Sequence, residues 1–211
     1  MNMKRNSDIK NIYEKYSSRF FDKIASLSNY SKTYDRLLEY LKVNSSILDL
    51  ACGPGNISKY LKDKYADLSI TGIDFLERML DLARKNIPDG KFIIGDISTL
   101  ELDEKFDVVI FGFGLPYLNI DEFENLLYRI KESLVDNGFF YLSFMDGDRS
   151  GFEKTSFTGS ELLYTYFHPE KSVRELLLNC GFIILDEFVL DYEESDGSVT
   201  KDIVYISRRS I

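Results

Sequence analysis

Cysteine and histidine are scarce in this sequence of 211 residues, which holds two cysteines and one histidine. Cys52 and Cys180 lie far apart and show no CxxC spacing, so the sequence predicts neither a disulfide framework nor a zinc site. No apolar run approaches the length of a membrane-spanning helix, and the N-terminus lacks the apolar region of a signal peptide. These absences together predict a cytoplasmic protein without a bound metal.

Positive charge is also in short supply, with 26 lysines and arginines against 35 aspartates and glutamates and a net charge of −9. Phosphate backbones are bound by clustered basic residues, so the charge balance predicts no nucleic-acid partner, and we expect no membrane partner either. The length and the apolar fraction of 44% are typical of a single folded domain, which we expect to cover residues 1–211. We expect a monomer or a homodimer.

From residue 47 onward, short apolar runs alternate with amphipathic segments. The runs predict strands at 47–50, 69–74, 91–95, 106–111 and 139–144, and the segments between them predict helices at 57–65, 76–86 and 123–134, the last capped by Asp121. This alternation favours an α/β fold in which a parallel sheet carries helices on both faces. The carboxyl ends of the strands then form the edge at which ligands bind.

The two ends of the chain depart from this alternation. Residues 8–42 have the spacing of two helices, and the first, rich in aromatics, fits either a lid over a pocket or a helix packed on the sheet. Residues 145–168 form a polar, aromatic insertion in which 160–167 is predicted to be a short helix. A helix at 170–179 and strands at 183–190 and 201–207 follow, and the short link between these strands predicts an antiparallel pair.

The stretch from Ile47 to Ser58, ILDLACGPGNIS, is a strand, a glycine turn and a helix start. The glycines carry no Cβ, so the backbone of the turn is able to approach a ligand closely. Asp49 lies inside the apolar run, where an unpaired carboxylate is costly, so a polar ligand or backbone N–H groups must satisfy it.

Two further acidic residues end neighbouring strands. Asp74 ends the second strand, 19 residues after Gly55, a position from which an acidic side chain accepts from the two hydroxyls of a ribose; the alternative is a helix cap. Asp96 ends the third strand, where it fits either an acceptor for the amine of adenine or an ordinary turn residue. Three carboxylates at one edge argue against an inorganic phosphate ligand.

In this order and combination, the motifs make the chain resemble a class I S-adenosylmethionine-dependent methyltransferase of the small-molecule type. The matching pieces are ILDLACGPGNIS, ITGIDFLERML, FIIGDISTL, FDVVIFGFGLPYLN and LVDNGFFYLSF. The resemblance implies a three-layer α/β/α sandwich whose seven strands are ordered 3-2-1-4-5-7-6, with strand 7 antiparallel. It also implies S-adenosylmethionine as cofactor and S-adenosylhomocysteine as product.

The resemblance further implies roles for residues along these motifs. Gly53 and Gly55 would pass close to the methionine part, Asp49 would hold its ammonium group, and Asp74 would bind the ribose. The remaining cofactor-binding residues implied are Phe75 and Met79, with Leu76, beside the adenosine, Asp96 and Ile97 at the adenine, and Phe111 and Gly112 at the methyl-transfer side. Ala51 stands in the same turn where the family often has glycine, and Leu76 where serine is common.

Candidates for catalysis and substrate binding are few. Tyr117 follows the fourth strand and is the candidate catalytic residue, with packing beneath a lid as its alternative; His168 is better explained as a helix-start residue. Candidate lid and substrate residues are Tyr13, Tyr16 and Phe21 near the N-terminus and Tyr164 and Tyr166 in the insertion. The predicted function is methyl transfer to a small-molecule acceptor. The alternatives are a non-catalytic module that binds S-adenosylmethionine or S-adenosylhomocysteine and an NAD(P)-dependent oxidoreductase, the latter disfavoured by Ser58 at the third glycine position.

Overall fold

The computed structural model describes residues 9–16, 19, 28–154, 161–193 and 199–210. These residues form six α-helices and nine strands, of which seven make a central sheet and two a separate hairpin. The helices are α1 (9–16), α2 (Ser31–Leu38), α3 (Asn56–Lys64), α4 (Glu77–Asn86), α5 (Ile120–Ser133) and α6 (Glu170–Asn179). The strands are β1 (Ser46–Leu50), β2 (Ser69–Asp74), β3 (Lys91–Ile94), β4 (Phe106–Phe111), β5 (Leu134–Met145), β6 (Ser150–Lys154), β7 (Leu162–Tyr166), β8 (Phe182–Glu193) and β9 (Val199–Arg209). Among the described residues, no helix is both long and apolar enough to cross a membrane.

Seven of these strands form one sheet in the order β3-β2-β1-β4-β5-β9-β8. Neighbouring strands from β3 to β5 are parallel, whereas β9 is antiparallel to both β5 and β8. Numbered by sheet strands alone, the order is 3-2-1-4-5-7-6 with strand 7 reversed. The predicted fold class is therefore confirmed.

Successive side chains of the central strands point to opposite faces of the sheet, and helices cover both faces. Leu48 and Leu50 of β1 and Phe111 of β4 face one side, where they pack with residues of α5 and α6 such as Phe123 and Leu177. The intervening residues of the same strands, Ile47, Val108 and Ile110, face the opposite side and pack with α2 and α3. Both faces of the sheet are thus covered, and its carboxyl edge is left as the place for a ligand.

The insertion differs from the sequence prediction. Residues 160–167 were expected to include a short helix, but 162–166 form strand β7, which pairs antiparallel with β6; residues 155–160 lie outside the described part of the chain. The side chains alternate along β7: Leu163, Thr165 and Phe167 are buried, and Leu162 is exposed. This period of two is typical of a half-buried strand, and the helix prediction was wrong.

Helix α5 begins with a capping box. The side chain of Asn119 accepts from the backbone N–H of Glu122 at 2.9 Å, and the Glu122 carboxylate accepts from the Asn119 N–H at 2.8 Å. The predicted cap, Asp121, lies in the first turn of the helix instead, where its negative charge is favourable to the helix dipole.

Candidate functional site

Two adjoining cavities open at the carboxyl edge of the sheet, and Ile9, Ala51, Asp74, Phe75 and Tyr117 line both of them. The first cavity continues along residues 51–54 of the glycine turn and past Asn56 to Gly112 and Phe113. The second cavity continues along residues 95–98. Their empty volumes, open solvent at the mouths included, are about 640 and 550 Å³.

Asp74 lies in the wall that the two cavities share. Its two carboxylate oxygens accept from the backbone N–H groups of Gly53 and Leu76, each at 2.9 Å. Burial raises the pKa of Asp74 to about 6, and these backbone hydrogen bonds oppose that rise. One carboxylate thus ties the glycine turn to the start of α4, a further backbone hydrogen bond comes from Phe75, and the carboxylate keeps capacity to accept from a ligand.

Asp49 is buried at the end of the first cavity nearest the glycine turn. The hydroxyl of Ser58 donates to Asp49 Oδ2 at 2.6 Å. Burial raises the pKa of Asp49 to about 7; the Ser58 hydrogen bond lowers it and the charge of Asp74 raises it further. A cationic group in the first cavity would relieve the cost of keeping this carboxylate charged.

The glycine turn uses the left-handed region of backbone space. Ala51, Gly53 and Gly55 have φ angles of +53°, +53° and +77°. Glycine adopts this region without strain, whereas an alanine there costs about 1–2 kcal/mol. Ala51 therefore holds a strained conformation at the position where the resembling family often has glycine.

Asp96 follows β3 and lines the second cavity with Ile97 and Ser98. The Asp96 Oδ1 atom accepts from the backbone N–H of Ser98 at 2.8 Å and from its hydroxyl at 2.7 Å. The carboxylate is thus oriented by its own turn and lies on the same edge as Asp74, as the strand order requires.

Of the predicted cofactor residues, most line one of the two cavities: Asp49, Ala51, Gly53, Asp74, Phe75, Met79, Asp96, Ile97 and Gly112. Gly55 and Phe111 line neither. Gly55 instead precedes α3, and a Cβ there would lie 3.5 Å from the Ala83 Cβ, an ordinary contact, so its backbone angle is what favours glycine.

Phe111 was predicted to face the ligand, and the structure corrects this placement. Its side chain is fully buried and stacks on Phe123 of α5. Phe113, two residues later, lines the first cavity with a φ angle of +60°, and its N–H donates to the Ser143 hydroxyl at 2.9 Å. The left-handed turn after β4 takes Phe113 out of the strand's alternation, and its ring packs on Tyr30 with 4.8 Å between the ring centroids.

Asn56, the first residue of α3, was not singled out from the sequence. It lines the first cavity, and its amide nitrogen Nδ2 is buried without a hydrogen-bond partner among the residues that the structure describes. A buried donor without a partner is costly, so this atom marks a place where a ligand acceptor is expected. Its position immediately after the glycine turn was the available signal.

Two tyrosines contribute to the cavity linings, and one of them, Tyr117, lines both cavities. Tyr13 of α1 and Tyr117 both line the first cavity, and their hydroxyls are hydrogen-bonded. Burial raises the pKa of Tyr117 to about 12 and holds that of Tyr13 well above its usual range. A general base needs a pKa near the working pH, so these values argue against the predicted catalytic role of Tyr117.

Of the other predicted lid and substrate residues, those that the structure describes, Tyr16, Tyr164 and Tyr166, line neither cavity. Tyr16 packs against the cluster that α1 forms with Leu163 of β7, and Phe21 lies outside the described residues. Tyr164 and Tyr166 form an edge-to-face pair on the hairpin, 5.1 Å between ring centroids. His168 is buried, and its Nε2 lies 3.0 Å from the carbonyl of Leu118, which gives it a structural partner.

Comparison with known proteins gives a consistent picture. A family model described as a methyltransferase domain matches residues 47–138. Demethylmenaquinone methyltransferase of Thermotoga maritima is 34% identical over 138 residues, 59% of this chain and 59% of that protein. Malonyl-[acyl-carrier protein] O-methyltransferase of Bacillus anthracis is 39% identical over 80 residues, 36% of this chain and 30% of that protein. The chain spans less than two thirds of either relative.

The fold is shared with solved structures. A 1,6-didemethyltoxoflavin-N1-methyltransferase of Burkholderia thailandensis, solved with 1,6-didemethyltoxoflavin and S-adenosylhomocysteine bound, superposes with a TM-score of 0.74 at 18% identity. The superposition covers 99% of this chain and 90% of that one. At this identity the likeness establishes the fold alone.

Proposed function

We propose that the chain is a class I S-adenosylmethionine-dependent methyltransferase that transfers a methyl group from S-adenosylmethionine to a small-molecule acceptor, and its match to a methyltransferase domain over residues 47–138 and its 34% identity to a methyltransferase over 138 residues support this. The observation that carries the proposal is the position of Asp74. Its carboxylate is fixed by two backbone N–H groups in the wall shared by both cavities, where it is able to accept from the two hydroxyls of a ribose.

The polar groups of the two cavities fit the remaining parts of this cofactor. Asp49 offers a buried carboxylate to an ammonium group, and the orphaned amide of Asn56 offers a donor to the adjacent carboxylate. Asp96 offers an acceptor to the amine of adenine, at the end of the second cavity. Each donor and acceptor of the cofactor's amino acid and the amine of its adenine thus has a complementary hydrogen-bonding group in the cavities.

The cofactor, when bound, supplies a methyl group already activated by its sulfonium, so the protein needs chiefly to hold the two reactants in line. The chain's own contribution would be orientation by Asp49 and Asp74 and exclusion of water by the pair of buried Tyr13 and half-buried Tyr117. Neither tyrosine is suited to remove a proton near neutral pH. We therefore propose positioning, without a tyrosine base, as the source of catalysis.

A small molecule is the acceptor class that fits best. The net charge of −9 and the carboxylates at the cavity edge are unfavourable to a nucleic-acid acceptor. The names of the two curated relatives point to different acceptors, demethylmenaquinone and malonyl-[acyl-carrier protein], so no individual acceptor follows from similarity. Action in the cytoplasm and a monomeric or dimeric state remain predictions from the sequence.

The test supplies methyl-labelled S-adenosylmethionine to the protein together with a size-fractionated cell extract. We expect label in the small-molecule fraction and equimolar S-adenosylhomocysteine. The Asp74→Ala variant should give neither. Label only in the protein or nucleic-acid fraction would contradict the acceptor class. Binding of S-adenosylhomocysteine without transfer to any fraction would favour a non-catalytic binding module.

A further inference from the structure

Arg129 of α5 reaches across to the loop after β3, residues 95–100, which we call the β3 loop. Its guanidinium donates from Nη1 to the Leu100 carbonyl at 2.7 Å and from Nη2 to the Ser98 carbonyl at 3.2 Å. The planar guanidinium suits this task because its donors form a rigid fork, and a lysine ammonium has no such second arm. Arg129 thus fixes two carbonyls of one loop at once.

The β3 loop is a single tight turn. The N–H groups of Thr99 and Leu100 both donate to the Asp96 carbonyl, at 3.1 and 2.9 Å. The inner side of the turn, with Asp96 and Ile97, lines the second cavity, and the outer side faces Arg129. The guanidinium is therefore not part of the cavity lining, and it contacts the loop on the side away from the cavity.

Ser98 connects the two sides of the turn. Its carbonyl accepts from Arg129, while its N–H and hydroxyl both donate to Asp96 Oδ1, at 2.8 and 2.7 Å. A displacement of Ser98 would rotate the Asp96 carboxylate and with it the acceptor offered to the cavity. Hydrogen bonds thus connect Arg129 to Asp96 through Ser98, so a change at Arg129 is expected to change the orientation of the Asp96 carboxylate.

The charge of Arg129 is partly withdrawn from water. Burial lowers the pKa of Arg129, and the nearby negative charge of Asp96 opposes that change. Removing a guanidinium from water costs free energy that its hydrogen bonds must offset. An apolar side chain would fill the same space without this desolvation cost. What the arginine adds over an apolar side chain is the fixed position of the two carbonyls.

We propose that Arg129 is a positioning residue that sets the specificity of the second cavity for adenine, through Ser98 and Asp96. This inference rests on the proposed function, since it takes the adenine of S-adenosylmethionine to occupy that cavity. Asp96 accepts from the exocyclic amine of adenine. Hypoxanthine presents a carbonyl oxygen at the same place, and two acceptors facing each other repel.

The test compares two ligands by titration calorimetry: S-adenosylhomocysteine and its analogue with hypoxanthine in place of adenine. The variants are Arg129→Met and Arg129→Lys. The matched control is Arg84→Met, because Arg84 of α4 is also an arginine bound to carboxylates and to a carbonyl, those of Glu77, Asp81 and Phe92, and it does not contact the β3 loop. Unfolding by urea is measured for all three.

We expect the wild type and Arg84→Met to prefer the adenine ligand by about tenfold or more, and Arg129→Met to lose most of that preference. Arg129→Lys should fall between them, and it replaces Arg129→Met if the latter fails to fold. A folded Arg129→Met with unchanged preference overturns the inference and leaves the proposed function intact. A wild type that binds neither ligand overturns both, and a wild type that binds both equally overturns the inference.

Discussion

The hydroxyls of Tyr13 and Tyr117 are hydrogen-bonded, and this bond joins α1 to the turn that follows β4. The two rings meet edge to face, with centroids 5.7 Å apart and planes at 89°. Both side chains line the first cavity, so a ligand there lies beneath the pair. Residues 104 positions apart in the sequence are thereby brought together over one site.

This bond predicts the behaviour of Tyr13→Phe and Tyr117→Phe. Each variant loses the same hydrogen bond, so both should release S-adenosylhomocysteine faster and to a similar extent. The double variant should be no worse than either single one, because the bond is already broken. Stopped-flow dissociation rates measure this. Additive effects would contradict a direct coupling, and a large loss of kcat in Tyr117→Phe alone would restore Tyr117 as a catalytic residue.

A control for Asp74 is available at the opposite edge of the sheet. Asp107, at the start of β4, is a carboxylate that accepts from the backbone N–H and the hydroxyl of Ser46. Asp74→Ala and Asp107→Ala should each lose about 1–3 kcal/mol of unfolding free energy, because each strips hydrogen-bond donors of their acceptor. Only Asp74→Ala should also weaken S-adenosylhomocysteine binding, measured by calorimetry. Equal affinities in the two folded variants would exclude the ribose role.

The orphaned amide of Asn56 predicts the effect of Asn56→Asp. A carboxylate at this position would face the carboxylate of the cofactor's amino acid, so the affinity for S-adenosylhomocysteine should fall by about tenfold or more. Asn125→Asp is the control, because Asn125 of α5 is exposed and donates only to the carbonyl of its own helix, Asp121 O. Calorimetric titration measures both. An unchanged affinity in Asn56→Asp would place the cofactor's carboxylate elsewhere.

Asp49 and Asp74 predict how stability and binding depend on pH. Their pKa values are raised by burial from 3.8 to about 7 and about 6, so the folded protein holds protons that the unfolded chain has released. Their stabilising contribution is fully present below about pH 3.8 and is lost as the pH rises through about 6 and 7. In Asp49→Asn, thermal unfolding without ligand should lose part of this pH dependence.

Binding reverses the preference of Asp49, because an ammonium group favours its charged form. Near pH 6 the protein should therefore release protons when it binds S-adenosylhomocysteine, and affinity should rise as the pH rises toward about 7. Titrations in two buffers of different ionisation enthalpy count the protons. The absence of release in the wild type, or an unchanged release in Asp49→Asn, would contradict the assignment of Asp49.

The sequence predicted the parts of the fold that depend on local pattern. Buried central strands are continuous apolar runs, and a short link between the last two strands allows only an antiparallel pair, so the strands, their last pairing and the acidic edge followed. The strand order of the sheet was implied by the family resemblance. Phe111 and Phe113 show what local pattern leaves open. Alternation already assigns Phe111 to the same face as Val109, but nothing in the sequence indicates that Phe113 adopts a φ angle of +60° and lines the first cavity.

The insertion and the contacts between distant segments were harder to predict. The hairpin β6–β7 has mixed polar and aromatic residues, so its period of two is visible only once the pairing partner is known. The Tyr13–Tyr117 bond and the reach of Arg129 to Ser98 depend on packing between elements far apart in the sequence. Such contacts are fixed by tertiary structure and leave no spacing signal.

Calorimetric titration of the purified protein with S-adenosylmethionine and S-adenosylhomocysteine, with NADH as the control, tests the central claim most directly. We expect saturable one-to-one binding of the first two ligands and no heat of binding for NADH. Binding of NADH with no response to S-adenosylmethionine or S-adenosylhomocysteine would contradict the proposed cofactor, and with it the functions assigned to Asp49, Asp74 and Asp96.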